Sequence, residues 1–129
     1  MKRYRNEKGA VAIELAFVLP VLLLILIGIL EFGRVMNVQV SLTQAAREGA
    51  RHAAIHYDDG TMNVRAAALA AAPALAGLPV TVTSNAAACA PNRNVTVTTR
   101  VVLPSMSGFL DVGLFPMNLD GIGVMRCGG

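Results

Sequence analysis

The residues that could do chemistry fall in separate places along the chain. Glu14 sits inside an apolar run, His52 and His56 lie four apart in a helical pattern, and Cys89 and Cys127 are the only cysteines. An unpaired carboxylate in hydrocarbon costs about 2.5–3.5 kcal/mol on insertion scales, so Glu14 asks for a partner or a use. Histidines at i,i+4 share a helix face and can bind zinc. Here no third ligand follows at helical spacing, and no glutamate intervenes as the general base of an H-E-x-x-H site. Asp58 and Asp59 read as part of the turn after the helix. The chain offers no nucleophile–base pairing and no phosphate loop. It therefore reads as neither enzyme nor metalloprotein, and no cofactor or small-molecule substrate is expected.

Positioning these residues falls to one long helix and one small domain. With 129 residues, 54% of them apolar and none of them Trp, the chain has material for a single membrane helix and a modest core. The formal charge of +3 resides in the leader, where Lys2, Arg3, Arg5 and Lys8 stand against Glu7. Such a flank sets membrane orientation and is not a nucleic-acid patch, so no nucleic acid is expected as partner. No charged residue occurs from Leu15 to Leu30. Adding Ala10 to Ile13 gives about 20 residues, or ~30 Å of helix, which matches the hydrocarbon thickness. The basic side is N-terminal, which keeps the leader in the cytoplasm and sends everything after Glu31 to the far side. A cleaved secretory signal fits poorly. The apolar run is too long, no small-x-small site follows it, and an amphipathic helix continues from its end.

The helix is expected over Ala10 to His56, with Pro20 loosening it by removing one amide donor. Its second half, residues 31–56, places Val35, Val38, Leu42, Ala45 or Ala46, Gly49 and Ala53 on one face. That stripe is rich in small residues. It suits close backbone approach, in a bundle of subunits or against the chain's own domain, and equally a helix that uses Ala for propensity alone. Residues 57–129 read as an extracytoplasmic α+β domain. A turn at Tyr57 to Thr61 precedes a short helix over Asn63 to Ala72 that is stopped by Pro73, and a linker covers 74–79. Period-two Val/Thr patterns predict strands at Val80 to Thr83 and Val95 to Val102, and a third is placed from Gly121 to Arg126. The fold class is thus α+β, a long helix packed on an antiparallel sheet of about three strands. The apolar segment from Ser105 to Phe115 has no clear period. It reads either as a core loop under the sheet or as a patch facing a partner or the bilayer.

On the oxidising side, a Cys89–Cys127 disulfide would stabilise the domain by roughly 4 kcal/mol in the chain-entropy model. Free thiols and intersubunit bridges are the alternatives.

Lys8-Gly9-Ala10-Val11-Ala12-Ile13-Glu14-Leu15 resembles a type IV prepilin processing site. Together with Leu19-Pro20-Val21-Leu22-Leu23-Leu24, Gly28 to Arg34 and Ala45-Ala46-Arg47-Glu48-Gly49-Ala50-Arg51, it makes the chain similar to the TadE-like family of pilin-like proteins from tight-adherence (Flp) pilus systems. The resemblance is tight to about residue 55 and looser beyond. It implies a minor pilin or pseudopilin-like subunit, cut between Gly9 and Ala10 by a prepilin peptidase. Its implied partners are the membrane, that peptidase, other pilin subunits and the pilus assembly platform. The implied location is the bacterial inner membrane, with a cytoplasmic N-terminus and a periplasmic C-terminal domain, and incorporation in an extracellular pilus as a further step. Major Flp pilins are shorter, lack a C-terminal domain and usually carry Tyr where this chain has Leu15. Cleavage after Gly9 would place a new ammonium on Ala10 one helical turn from Glu14, which could then pair with its own N-terminus or a neighbour's. A Glu resting near the headgroups at the helix start is the plainer reading. The alternative function is an uncleaved bitopic protein whose periplasmic domain binds another envelope component.

Overall fold

A computed structural model describes residues 7–128. Leader residues Lys2, Arg3 and Arg5 lie outside these, so the charge reading placed on them has no structural counterpart here. Helix α1 runs unbroken from Glu7 to Ile55 and passes through Pro20. At 1.5 Å per residue it is roughly 74 Å long. Every residue from Gly9 to Leu26 is exposed, and the first buried side chain is Glu31. The N-terminal part of α1 therefore stands clear of the other described residues, and its most apolar 18-residue window has a mean hydropathy of 2.9, enough by length and composition to cross a membrane.

The C-terminal part of α1 carries an α+β domain. Helix α2 spans Val64–Ala70 and is capped by Asn63, whose side chain accepts from the Ala66 amide at 2.9 Å. Pro73 opens a 3-10 turn to Leu75, which is buried, so the stretch expected as a linker contributes to the core. Strands β1 (Thr81–Ser84), β2 (Asn94–Leu103) and β3 (Met117–Arg126) form an antiparallel sheet in the order β1-β2-β3. Along β2 the residues Val95, Val97, Thr99, Val101 and Leu103 are buried in strict alternation, as a half-buried strand requires.

Strand β3 begins four residues earlier than the sequence suggests. Met117 and Leu119 turn inward and Asn118 and Asp120 outward, and the four pair with Leu103 to Arg100 of β2. Asn and Asp are poor strand formers, which hides the alternation from propensity.

Gly121 and Gly123 explain why the stripe on α1 is small. A Cβ built on Gly121 would fall on the Leu42 carbonyl and 2.7 Å from the Thr43 amide nitrogen. One built on Gly123 would fall on the Ala46 carbonyl and 2.6 Å from the Arg47 nitrogen. Backbone thus lies directly on backbone. The spacing matches, because four helical residues rise about 6 Å and two strand residues about 6.8 Å. β3 consequently runs alongside α1 in the same direction. The Thr99 hydroxyl, fully buried, bridges helix to sheet by donating to the Leu42 carbonyl at 2.8 Å. The small residues of α1 therefore serve close packing against the chain's own sheet: Ala45, Ala46, Ala50 and Ala53 are all completely buried. Around this seam Val35, Val38, Leu42, Val101, Leu103, Leu119 and Phe115 form the main core.

Candidate functional site

Gly9 and Ala10 lie on exposed helix, and among the described residues nothing outside the helix's own turn approaches within 4 Å of a Cβ placed on Gly9. Glu14, one turn further on, is exposed as well, and among the described residues no hydrogen bond or ion pair from the C-terminal domain reaches it. Any partner for its carboxylate comes from its own N-terminus, from lipid headgroups or from another molecule.

The second polar locus is where α1 leaves its exposed stretch, and it centres on Glu31. This side chain is only 2% exposed. Its Oε1 accepts from the Met106 amide at 2.8 Å, the Ser107 amide at 2.8 Å and the Ser107 hydroxyl at 2.9 Å. The Ser107 amide does most to hold the Glu31 carboxyl below its ordinary value. Burial opposes this, while the Ser107 hydroxyl, the Met106 amide and the Arg34 guanidinium add to it. A depressed carboxyl contributes its stability above the ordinary carboxylate range, and the contribution is lost as pH falls through the folded-state value. Glu31 Oε2 is buried without a hydrogen-bond partner among the described residues.

Further contacts place the β2–β3 loop at this end of the domain. Gln39 donates to the Asp120 carbonyl at 2.7 Å, Arg34 to the Pro104 carbonyl at 2.9 Å, and Glu31 receives the loop itself. Walking back along α1 toward the apolar stretch thus walks along the hairpin to its tip. Within the loop, Ser105 donates to Asp111 Oδ1 at 2.7 Å and accepts from the Gly108 amide at 3.0 Å, with Gly108 at a φ of 74°. Sequence reasoning treats Glu31 only as the end of the apolar run. The signal for its role is a pair of successive amides in Ser105-Met106-Ser107, which becomes meaningful once the fold brings that loop to the helix.

The apolar segment divides between the two readings made of it. Phe115 is buried and Leu110 packs against the core, whereas Met106, Phe109, Val112 and Leu114 are exposed.

At the opposite end of the domain Cys89 and Cys127 form a disulfide with their Cα atoms 5.7 Å apart. Beside it the Gly128 amide donates to the Ala54 carbonyl at 3.1 Å, fastening the segment after β3 to the end of α1. His52 and His56 stack with ring centroids 4.4 Å apart. Among the described residues no group of three or more His, Cys, Asp and Glu is placed to hold a metal ion.

No curated protein and no solved structure matches the chain. Residues 9–51, from Gly9 through Glu31 to the small-residue stripe, match the family model described as TadE-like protein, and over that stretch the N-terminal helix of this chain is similar to that family.

Proposed function

We propose that the chain is a minor pilin or pseudopilin-like structural subunit that serves assembly of a tight-adherence (Flp) pilus and is cut by a prepilin peptidase between Gly9 and Ala10. One observation carries this reading: a TadE-like helix whose apolar N-terminal part, exposed from Gly9 to Leu26, ends at a small domain gathered on its far part. A helix so bared must be covered by lipid, by helices of neighbouring subunits, or by each in turn. On this reading residues 10–30 span the inner membrane, the domain lies in the periplasm, and the partners are the peptidase, other pilin subunits and the assembly platform.

The processing step is tested by Gly9→Phe, because a bulky residue before the cut should block the peptidase. Full-length precursor should accumulate in the membrane and the mature form should disappear, as read by N-terminal mass analysis. Native protein that always keeps its leader in cells with active prepilin peptidase would refute the step, and would favour an uncleaved bitopic protein whose periplasmic domain binds another envelope component.

Glu14 is assigned to pairing with the N-terminus of its own chain or of a neighbour. Its exposure on α1 supports this, since the chain's own domain gives it no partner. Glu14→Ala removes a charge that costs about 2.5–3.5 kcal/mol in hydrocarbon, so membrane insertion should be unchanged or improved. Pilus incorporation, counted from sheared surface fractions, should fall nonetheless; normal piliation would assign Glu14 to the headgroup region instead.

A further inference from the structure

We infer that the tip of the β2–β3 hairpin, residues 105–114, is a second membrane contact, bedded in the headgroup and acyl boundary of the same bilayer that α1 crosses. The inference rests on the span proposed above. Its first support is position. The hydrogen bonds that Gln39 and Arg34 donate to the hairpin, and those that Glu31 accepts from it, carry it step by step toward the apolar end of α1. Met106 and Ser107 line one cleft with Ile27 and Leu30, in the last turn of the span, so the loop surface continues the surface expected to face lipid.

Its second support is composition. Met106, Phe109, Val112 and Leu114 are 69%, 66%, 89% and 56% exposed, a dense set of apolar side chains for one short loop. Asp111 is the only charged residue from Ser105 to Phe115, and it already accepts from the Ser105 hydroxyl. Apolar tips that leave the core beside a span are suited to the interface, where their side chains enter the acyl region and the polar backbone stays near the headgroups. The third support is the Glu31 clamp. Backbone amides that lose water on entering a bilayer need an acceptor, and Glu31 supplies one to the Met106 and Ser107 amides together. Lipid is favoured over a second protein because this surface lies level with the end of the span and is continuous with it.

The chain contains no Trp, so Phe109→Trp introduces a single tryptophan, excited apart from the two tyrosines, at an exposed position. The full chain is reconstituted at low protein-to-lipid ratio in phosphatidylethanolamine and phosphatidylglycerol vesicles, with and without lipids brominated near the headgroup end of the acyl chain. Emission should shift to the blue of the urea-unfolded protein and lose intensity with the brominated lipid. Val112→Trp, at the most exposed position of the loop, should behave alike. Phe17→Trp, inside the span, reports insertion independently. Quenching of Phe17→Trp with water-like, unquenched emission from both loop variants overturns the inference and leaves the span standing. Blue-shifted emission that brominated lipid does not quench assigns the tip to another protein copy and overturns it too. If Phe17→Trp itself is unquenched, the span reading fails and the inference with it.

Discussion

Gly123→Ala is expected to destabilise the C-terminal domain strongly although it adds only one methyl group. That methyl would fall on the Ala46 carbonyl and 2.6 Å from the Arg47 nitrogen, both of them backbone atoms with no rotamer to change. Relief requires the sheet to lift from α1, and Gly121 holds the neighbouring turn at Leu42 in the same way. Overpacking a core costs about 1–3 kcal/mol where side chains can adjust, so a backbone collision should reach about 3 kcal/mol or more. A domain of this size has only about 4–11 kcal/mol in total at typical per-residue stability. Thermal unfolding followed by circular dichroism in detergent should show the Tm falling sharply, with early proteolysis of the domain. Gly60→Ala, where no atom lies within 4 Å of the added carbon, should change little and serves as the control. A Tm for Gly123→Ala equal to that of the native protein would mean that helix and strand do not meet backbone to backbone.

Removing the disulfide should have an effect of similar size by another route. Cys89 and Cys127 are 38 residues apart, and opening a loop of that length frees the unfolded chain by about 4 kcal/mol in the chain-entropy model. Replacing either cysteine with Ser should make the domain protease-sensitive while α1 stays in the membrane. Non-reducing electrophoresis with thiol alkylation checks the bond in native protein. Two freely alkylated cysteines in exported protein, or a disulfide-linked dimer as the main species, would count against a bond within one chain.

Much of the fold is legible because it obeys local periodicities. The apolar run and the stripe from Val35 to Ala53 read as one helix, and Val95 to Val102 as a strand, since each repeats at its own period. The start of β3 is not legible, because Asn118 and Asp120 disfavour strands in isolation. The glycines are required by α1, a partner some eighty residues away in the chain, and propensity carries no trace of that. The same holds for the site. Glu14 stands out by itself as a charge in an apolar run. Glu31 stands at the end of that run, where a charge is unremarked, and two of its three hydrogen bonds are donated by backbone amides, which residue identity does not reveal.

The parallel course of α1 and β3 has a mechanical consequence. Tension carried along α1 reaches the domain along the axis of the strand, so the contacts at Leu42 and Gly121, at Ala46 and Gly123, and at Ala54 and Gly128 are loaded side by side. Peeling would break them one after another, whereas shear obliges them to yield together. The domain is thereby joined to its helix in the orientation that best resists a pull along the helix.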